Sequence, residues 1–386
     1  MKEQLKQQVK KAEDEIASLA EKVSDEIFKH PELSDKEYFS SKYLASLMEK
    51  MGFAVTYPYL GIETAFRCVY GDDDGPKVGF LAEYDALPGY GVSGDEVAHA
   101  CGHNWIAAST VAASLALKKL KDEVGFKGQI ILIGTPGEEL YGRKVNMAKM
   151  GAFDDLNAVF QMHLDKVSSV DTKTLAITDF LFEFFGKASH ASQNPELGIN
   201  ALDACNLTFA GINALRQQLP SETRIHAIYK DGGQSPNIIP SHASMHIFIR
   251  AGNVERLEKV VERVLNIGRG AELMTGTIFK YTRAENTYSD LKRDAKLDAY
   301  MKANLEDLGI TKLTPGDLYH AVSSDIGNVS YCCPTCYCTL GTANLTSARI
   351  HEKEFLKIVN SQGAYRLLHI AAKAMAMSAI DVYLEN

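Results

Sequence analysis

Apolar and polar positions mark out two helices at the start of the chain. Ile16, Leu19, Val23, Ile27 and Phe28 recur at helical spacing with charges between them. His30-Pro31-Glu32 interrupts the pattern. Ser34, followed three residues on by Glu37, predicts a capping box for a second helix that stops at Gly52. From there short apolar runs alternate with helical stretches. They cover Val78 to Gly89, the small-residue helix Trp105 to Lys118, Gln129 to Gly134 with Thr135-Pro136-Gly137 behind it, and Ala158 to His163. Strands separated in this way predict a mostly parallel central sheet with covered faces, the α/β class. In such sheets ligands bind beyond the C-terminal strand ends.

The texture changes near residue 174. Strand-like alternation lengthens through Leu175 to Phe185, a helix follows from about Asn200 to Gln218, Ser244 to Ala251 reads as a strand and Val254 to Leu273 as a long amphipathic helix. This succession predicts an inserted α+β domain, with the chain returning near Asn286 to Asp290. The expected organisation is a catalytic domain in two segments, 1–174 and 286–386, around a domain at 175–285.

Composition narrows the function classes. With 386 residues, 46% apolar and 23% charged, the chain suits a folded protein of more than one domain. Its net charge of −8 argues against nucleic acid and anionic membrane as partners. No stretch approaches the ~18 apolar residues of a membrane span, and the charged N-terminus lacks the apolar core of a secretory leader. Seven cysteines, four of them between Cys332 and Cys338, make poor material for a disulfide framework, so a reducing cytoplasm is expected. Cys333-x-x-Cys336 has no matching second pair and reads as packed-core cysteine, with Tyr331, Cys332, Tyr337 and Leu340 suiting a buried strand.

The chemical signal is densest at His99-Ala100-Cys101-Gly102-His103-Asn104. A thiolate and an imidazole two residues apart on one loop can both face a divalent cation. Glu138-Glu139 follows directly behind a buried strand, where adjacent carboxylates need a cation or a proton to coexist. The other reading of that pair is an acidic helix start. His163 ends a strand where an imidazole has no packing reason to be, and His351 lies in an otherwise solvent-like stretch. The remaining histidines, including His30, His226, His242, His246, His320 and His369, read as surface or packed residues. Cys101, His103, Glu139, His163 and His351 make five donors, too many for one tetrahedral zinc but suited to two metals with one shared ligand.

The motifs EYDALPG, HACGHN, GTPGEE, VFQMH, GKASHAS, PELGINALDA, NIIP with a following FIR, and SSDIGNVS occur in one order. In that order the chain resembles the aminoacylase and carboxypeptidase superfamily of two-metal amidohydrolases. It is most similar to the branch holding p-aminobenzoyl-glutamate hydrolase, hippurate hydrolase and the auxin-conjugate hydrolases, from His30 to beyond His351. The resemblance implies a zinc-peptidase-like catalytic domain with a ferredoxin-like lid and dimerisation domain. It implies two divalent ions, zinc or manganese, with Cys101 bridging them and His103, Glu139, His163 and His351 completing the shells. Glu138 would take a proton from the bridging water and return it to the leaving amine. Asp85 would orient a metal ligand, His190 would stabilise the oxyanion, across a dimer in one arrangement, and Asn237 and Arg250 would hold the substrate, Arg250 by its carboxylate. The implied substrate is an N-acyl or N-aroyl amino acid or a small dipeptide-like molecule, and the implied assembly is a homodimer through the lid, or a hetero-oligomer.

Three positions depart from the wider pattern. Asn104 stands where many relatives have aspartate, Glu83 where relatives outside this branch place histidine, and Arg143 where glycine is frequent, which predicts a narrower or more basic rim beside Glu139. Two other readings remain. A cysteine-nucleophile hydrolase would attack with Cys101, but it leaves Glu138, Glu139 and His351 without a role. A non-catalytic binding or regulatory subunit of the same fold has no feature in its favour.

Overall fold

The computed structural model describes residues 2–91, 93–317 and 321–385; His320 lies outside them. The chain divides into two compact units. One comprises the described residues of Met1–Thr172, Lys292–Gly316 and Asn328–Asn386, the other those of Lys173–Leu291 and Asp317–Gly327.

In chain order the first unit begins with α1 (Lys2–Lys29), α2 (Tyr38–Lys50), β1 (Ala54–Thr56), β2 (Phe66–Gly71), β3 (Lys77–Ala82), β4 (Leu87–Tyr90), β5 (Glu96–Ala98), α3 (His103–Val124), β6 (Gln129–Gly134), α4 (Arg143–Lys149) and β7 (Ala158–Asp165). The second unit then supplies β8 (Ala176–Phe185), α5 (Ala201–Arg216), β9 (Arg224–Asp231), β10 (His242–Ala251), α6 (Val254–Thr275) and β11 (Ile278–Arg283). After it come α7 (Ala295–Asp307), the short α8 (Ile326–Ser330), β12 (Thr335–Gly341) and α9 (Gln362–Tyr383).

Six strands of the first unit form a sheet in the order β1-β2-β6-β3-β7-β12. β6, β3, β7 and β12 run parallel, and β2 and β1 extend one edge antiparallel. The interior strands are mostly apolar, as parallel strands covered on both faces must be, apart from Lys77 and Gln129 at their starts and Gln161, His163 and Asp165 in β7. α3 is buried along most of its length, and its Trp105 indole donates to the carbonyl of Ala364 at the start of α9 (2.9 Å). Such a helix packs closely because Ala, Ser and Thr keep its surface smooth. The parallel register aligns Ala82 with Gly134 and Thr339 with His163. The segments leaving β3, β6 and β7 therefore emerge at one edge of the sheet.

The second unit is a β-α-β-β-α-β succession whose strands form an antiparallel sheet in the order β11-β8-β10-β9. Phe180, Phe182 and Phe184 of β8 and Met245, Ile247 and Ile249 of β10 share one core with Ala204 and Ile212 of α5 and Val260 and Val264 of α6. The sequence reading returns the chain to the first unit for good near residue 286. The structure instead keeps described residues of Asp317–Gly327 with the second, where Leu175 N–H donates to Val322 (2.8 Å) and Arg250 to Ser323. Such pairing across a long sequence gap has no local pattern to announce it.

The cysteine run is packed as its composition suggests. Cys333, Cys336 and Cys338 are buried and Cys332 half-buried, all as free thiols. The strand begins only at Thr335, leaving Tyr331 exposed ahead of it.

The start of α2 differs from the predicted capping box. Glu32, not Ser34, caps the helix, accepting from the backbone N–H of Phe39 (2.8 Å) and Ser40 (2.9 Å). Ser34 donates to Asp85 instead (2.7 Å), and Glu37 turns inward to accept from the N–H of Gly137 (2.8 Å). Burial, and behind it the Asp85 carboxylate, pushes Glu37 up from 4.5 to about 8.

Two outcomes are expected from these contacts. Glu32→Ala should cost about 1 kcal/mol in urea unfolding, the usual worth of a lost helix cap; an unchanged midpoint would place the cap elsewhere. Glu37 holds its proton up to about 8 in the folded chain and only to 4.5 when unfolded. The stability it adds is therefore complete below 4.5 and lost as the pH climbs towards 8. In metal-free protein, Glu37→Gln should shrink the fall in Tm between about pH 5 and about pH 8, and an undiminished fall would show that Glu37 is already ionised.

Candidate metal centre

Loops leaving the sheet edge and the start of α3 bring one set of side chains together. Cys101 and His103 flank Gly102, whose φ of +87° is left-handed, a turn that glycine makes without a Cβ penalty. A Cβ there would also stand 3.3 Å from Val359. This turn sends both neighbours into one pocket. The carboxylates of Glu138 and Glu139 follow β6, His163 comes from β7, and His351 from the loop behind β12. His351 sits at φ +70°, an uncommon conformation for a non-glycine residue. Its N–H on the carbonyl of Ala100 (2.8 Å) and the Tyr90 hydroxyl on its own carbonyl (2.7 Å) hold it there.

Donor atoms of Cys101, His103 and His163 lie within 4.8 Å of one another, as do those of Cys101, Glu139 and His351, and those of His103, Glu138 and Glu139. The Cys101 Sγ stands 3.3 Å from His163 Nε2, and His351 Nε2 stands 3.3 Å from Glu139 Oε1. All five donors expected from the sequence are thus in one place, with Glu138 beside them. Each buried imidazole has one nitrogen committed. His103 Nδ1 donates to Asp85 (2.7 Å) and His163 Nδ1 to the carbonyl of Leu164, so both rings turn Nε2 into the pocket, and against its burial Cys101 and Asp85 push His103 well above the ordinary imidazole range. His103 Nε2 and Glu139 Oε1 are buried with no hydrogen-bond partner. Buried polar atoms left without a partner, on a Cys, His and carboxylate set, fit divalent cations.

Asp85 is the support beneath the set. Burial opposes its charge, but the attraction and hydrogen bond of His103, the N–H of Glu139 and the Ser34 hydroxyl more than offset that and hold it at about 2. The Cys101 thiol is pushed well above its ordinary range by burial and by the Glu139 carboxylate. Such a thiol is a poor nucleophile without a cation to deprotonate it, which counts against the cysteine-hydrolase reading.

The three departures resolve differently. Asn104 points away from the pocket, its amide donating to Ser24 Oγ (2.9 Å) and Asn360 (2.7 Å). Arg143 does not make the rim basic, because its guanidinium is committed to both oxygens of Asp35. Glu83 stays at the pocket: one oxygen is 2.6 Å from the buried Lys144 ammonium, the other 3.6 Å from His103 Nε2. Burial opposes the Glu83 charge, but Lys144 and His103 more than offset it and hold the carboxyl below its ordinary value. Sequence reasoning missed Lys144, Ser34 and Glu37; each lies far along the chain from its partner. His99, in the richest motif, stays outside the site: its ring meets the carbonyl of Ile27 (3.1 Å), and burial followed by the nearby His103 depresses it to about 3.

In the second unit, His190 pairs with Ile238 and Ala191 N–H donates to the Asn237 carbonyl (3.0 Å), so Asn237 lies one position from the residue opposite His190. His190 Nδ1 accepts from the N–H groups of Ser192 (3.3 Å) and Gln193 (3.2 Å), which leaves the proton on Nε2. Arg250 donates to Ser323 (2.9 Å), while its Nε is buried without a partner.

Comparison with known proteins identifies the family. The chain is 33% identical to the Xaa-Arg dipeptidase of Mus musculus, over 98% of its own length and 89% of the relative's. It is 29% identical to one subunit of the p-aminobenzoyl-glutamate hydrolase of Escherichia coli, over 94% and 89%. A dinuclear metal-binding peptidase of Bacillus subtilis shares the fold, with a TM-score of 0.69 at 18% identity over 93% of this chain and 98% of that one. A protein of methicillin-resistant Staphylococcus aureus does so at 0.83 and 20%, over 98% and 100%. Among the described residues no helix is long and apolar enough to cross a membrane. Residues 79–373 match the family described as Peptidase family M20/M25/M40, and the chain belongs to it as a metal-dependent hydrolase of amide or peptide bonds.

Proposed function

We propose that the chain cleaves the amide bond of small N-acyl or N-aroyl amino acids or dipeptides with two divalent ions, zinc or manganese. One observation carries this reading: two donor triads, Cys101/His103/His163 and Cys101/Glu139/His351, share a single sulfur. A shared thiolate between two triads suits a pair of borderline cations and not one hard ion. When bound, the ions supply an acidified water and a polarised carbonyl.

The chain's own groups do the rest. Asp85 fixes the ring of His103. Glu138 is the base that accepts the proton of the attacking water and delivers it to the departing nitrogen. His190, with Nδ1 engaged by its own turn, offers the Nε2 proton to the developing oxyanion. Capping a turn and donating to substrate are thus two ends of one ring. Arg250 binds the substrate carboxylate, and its buried, unpartnered Nε supports that role; Asn237 holds the substrate beside His190. The second unit, Lys173–Leu291 with the described part of Asp317–Gly327, acts as an inserted lid and dimerisation domain. The dipeptidase and the p-aminobenzoyl-glutamate hydrolase among the relatives support the substrate class. That the hydrolase relative is named as a subunit keeps a hetero-oligomer beside the homodimer as a reading. Seven free thiols suit the cytoplasm.

Glu138→Gln should lower kcat by at least ~10²-fold with two ions still bound by elemental analysis; loss of an ion would make Glu138 a ligand. His351→Ala should lose one ion and nearly all turnover while keeping its Tm, and full turnover would contradict the two-ion site. His190→Ala should lower kcat by ~10² to 10³ with metal content unchanged. If the donor reaches a neighbouring chain, mixing His190→Ala with Glu138→Gln protein restores part of the activity; near-wild-type kcat for His190→Ala alone removes it from the chemistry.

A further inference from the structure

Lys144 and Glu83 stand out among the buried groups that the mechanism above does not use. The Lys144 side chain is 0% exposed and that of Glu83 3%. A buried ion pair is expensive to desolvate, and well-packed apolar residues of the same volume commonly serve stability as well or better. The two oxygens of Glu83 do different things. Oε1 takes the Lys144 ammonium at 2.6 Å, while Oε2 lies 3.6 Å from His103 Nε2, the buried nitrogen that has no hydrogen-bond partner. Glu139 Oε1, also orphaned, stands 3.8 Å from the same nitrogen. A Glu83 oxygen lies within 4.8 Å of one from Glu138. Three carboxylates therefore crowd one imidazole nitrogen, and the Lys144 ammonium stands 2.6 Å from Glu83 Oε1.

We propose that Glu83 is a further donor of the metal centre, its Oε2 directed at the ion held by His103, and that Lys144 is the positioning residue that grips Oε1 and aims the other oxygen. The short helix α4 makes this possible. It places Arg143 outward onto Asp35 and Lys144, the next residue, inward onto Glu83. In this chain a carboxylate from the β3 end thus does part of the work of the histidine found there outside its branch, and the lysine prevents that extra carboxylate from overcharging the pocket.

The inference rests on the two-ion reading, and the test separates the two. Metal-free protein is titrated calorimetrically with Mn²⁺, and its Co²⁺ form is examined by visible absorption. Wild-type protein takes two ions; failure to bind any would defeat the two-ion reading first. Glu83→Gln retains the hydrogen bond to Nζ but lowers the donor's charge. It should weaken one of the two Mn²⁺ steps at least ten-fold, leave the other unchanged and alter the Co²⁺ bands. Lys144→Met should weaken the same step, with recovery in Lys144→Arg. The double variant Glu83→Leu with Lys144→Met removes the pair without stranding a charge, so it should recover the wild-type Tm while keeping the binding defect. Both Mn²⁺ affinities intact in that double variant would leave the pair without a part in metal binding and overturn the assignment. Should the double variant not fold, unchanged Mn²⁺ affinities and Co²⁺ bands in Glu83→Gln would overturn it equally.

Discussion

The Asp85 carboxylate ties the catalytic unit together. It receives the Ser34 hydroxyl from the loop behind α1, the N–H of Glu139 from the loop behind β6, and Nδ1 of His103 from the start of α3. Three segments that the sheet alone would leave independent are drawn onto one buried charge. The same contacts decide its ionisation, because each donor favours the anion that burial disfavours. A consequence runs outward from there. With Nδ1 of His103 committed, Nε2 must face the pocket, and Glu139 is anchored by its own backbone beside it.

Like charges then crowd the same pocket. Glu83, Glu138 and Glu139 converge on a region that also holds a buried thiol, and among the described residues Lys144 is the buried cation placed to answer them. In a low-dielectric setting such an arrangement persists only with compensating positive charge. Divalent cations would answer that need, and on the proposed reading they would turn Cys101 from an inert, proton-holding thiol into a ligand. The chemistry and the electrostatics are then one requirement, which is why a cysteine-nucleophile mechanism fits neither.

Much of this was legible in the chain because the informative residues sit next to strand ends. Cys101 and His103 flank one glycine, Glu138-Glu139 follows Thr135-Pro136-Gly137, and His163 closes an apolar run, so short-range pattern was enough to find them. The parallel sheet and the β-α-β-β-α-β unit were likewise carried by local periodicity. What escaped depends on long-range contacts. Ser34 looked like a helix cap because its spacing to Glu37 was right, yet both side chains serve Asp85 and Gly137, far along the chain, and Glu32 caps instead. Arg143 and Lys144 are adjacent and chemically alike, and only the helix between the rim and the pocket sends one to Asp35 and the other to Glu83. Asn104 stood inside the richest motif and faces away from it.

The central claim is that one sulfur, Cys101 Sγ, joins two ions. X-ray absorption of the zinc-reconstituted protein measures this directly. The account predicts about one sulfur neighbour per zinc at roughly 2.3 Å and a second zinc at about 3.5 to 4 Å, with the sulfur shell lost in Cys101→Ser. A single zinc surrounded only by nitrogen and oxygen, with no metal neighbour, would contradict it.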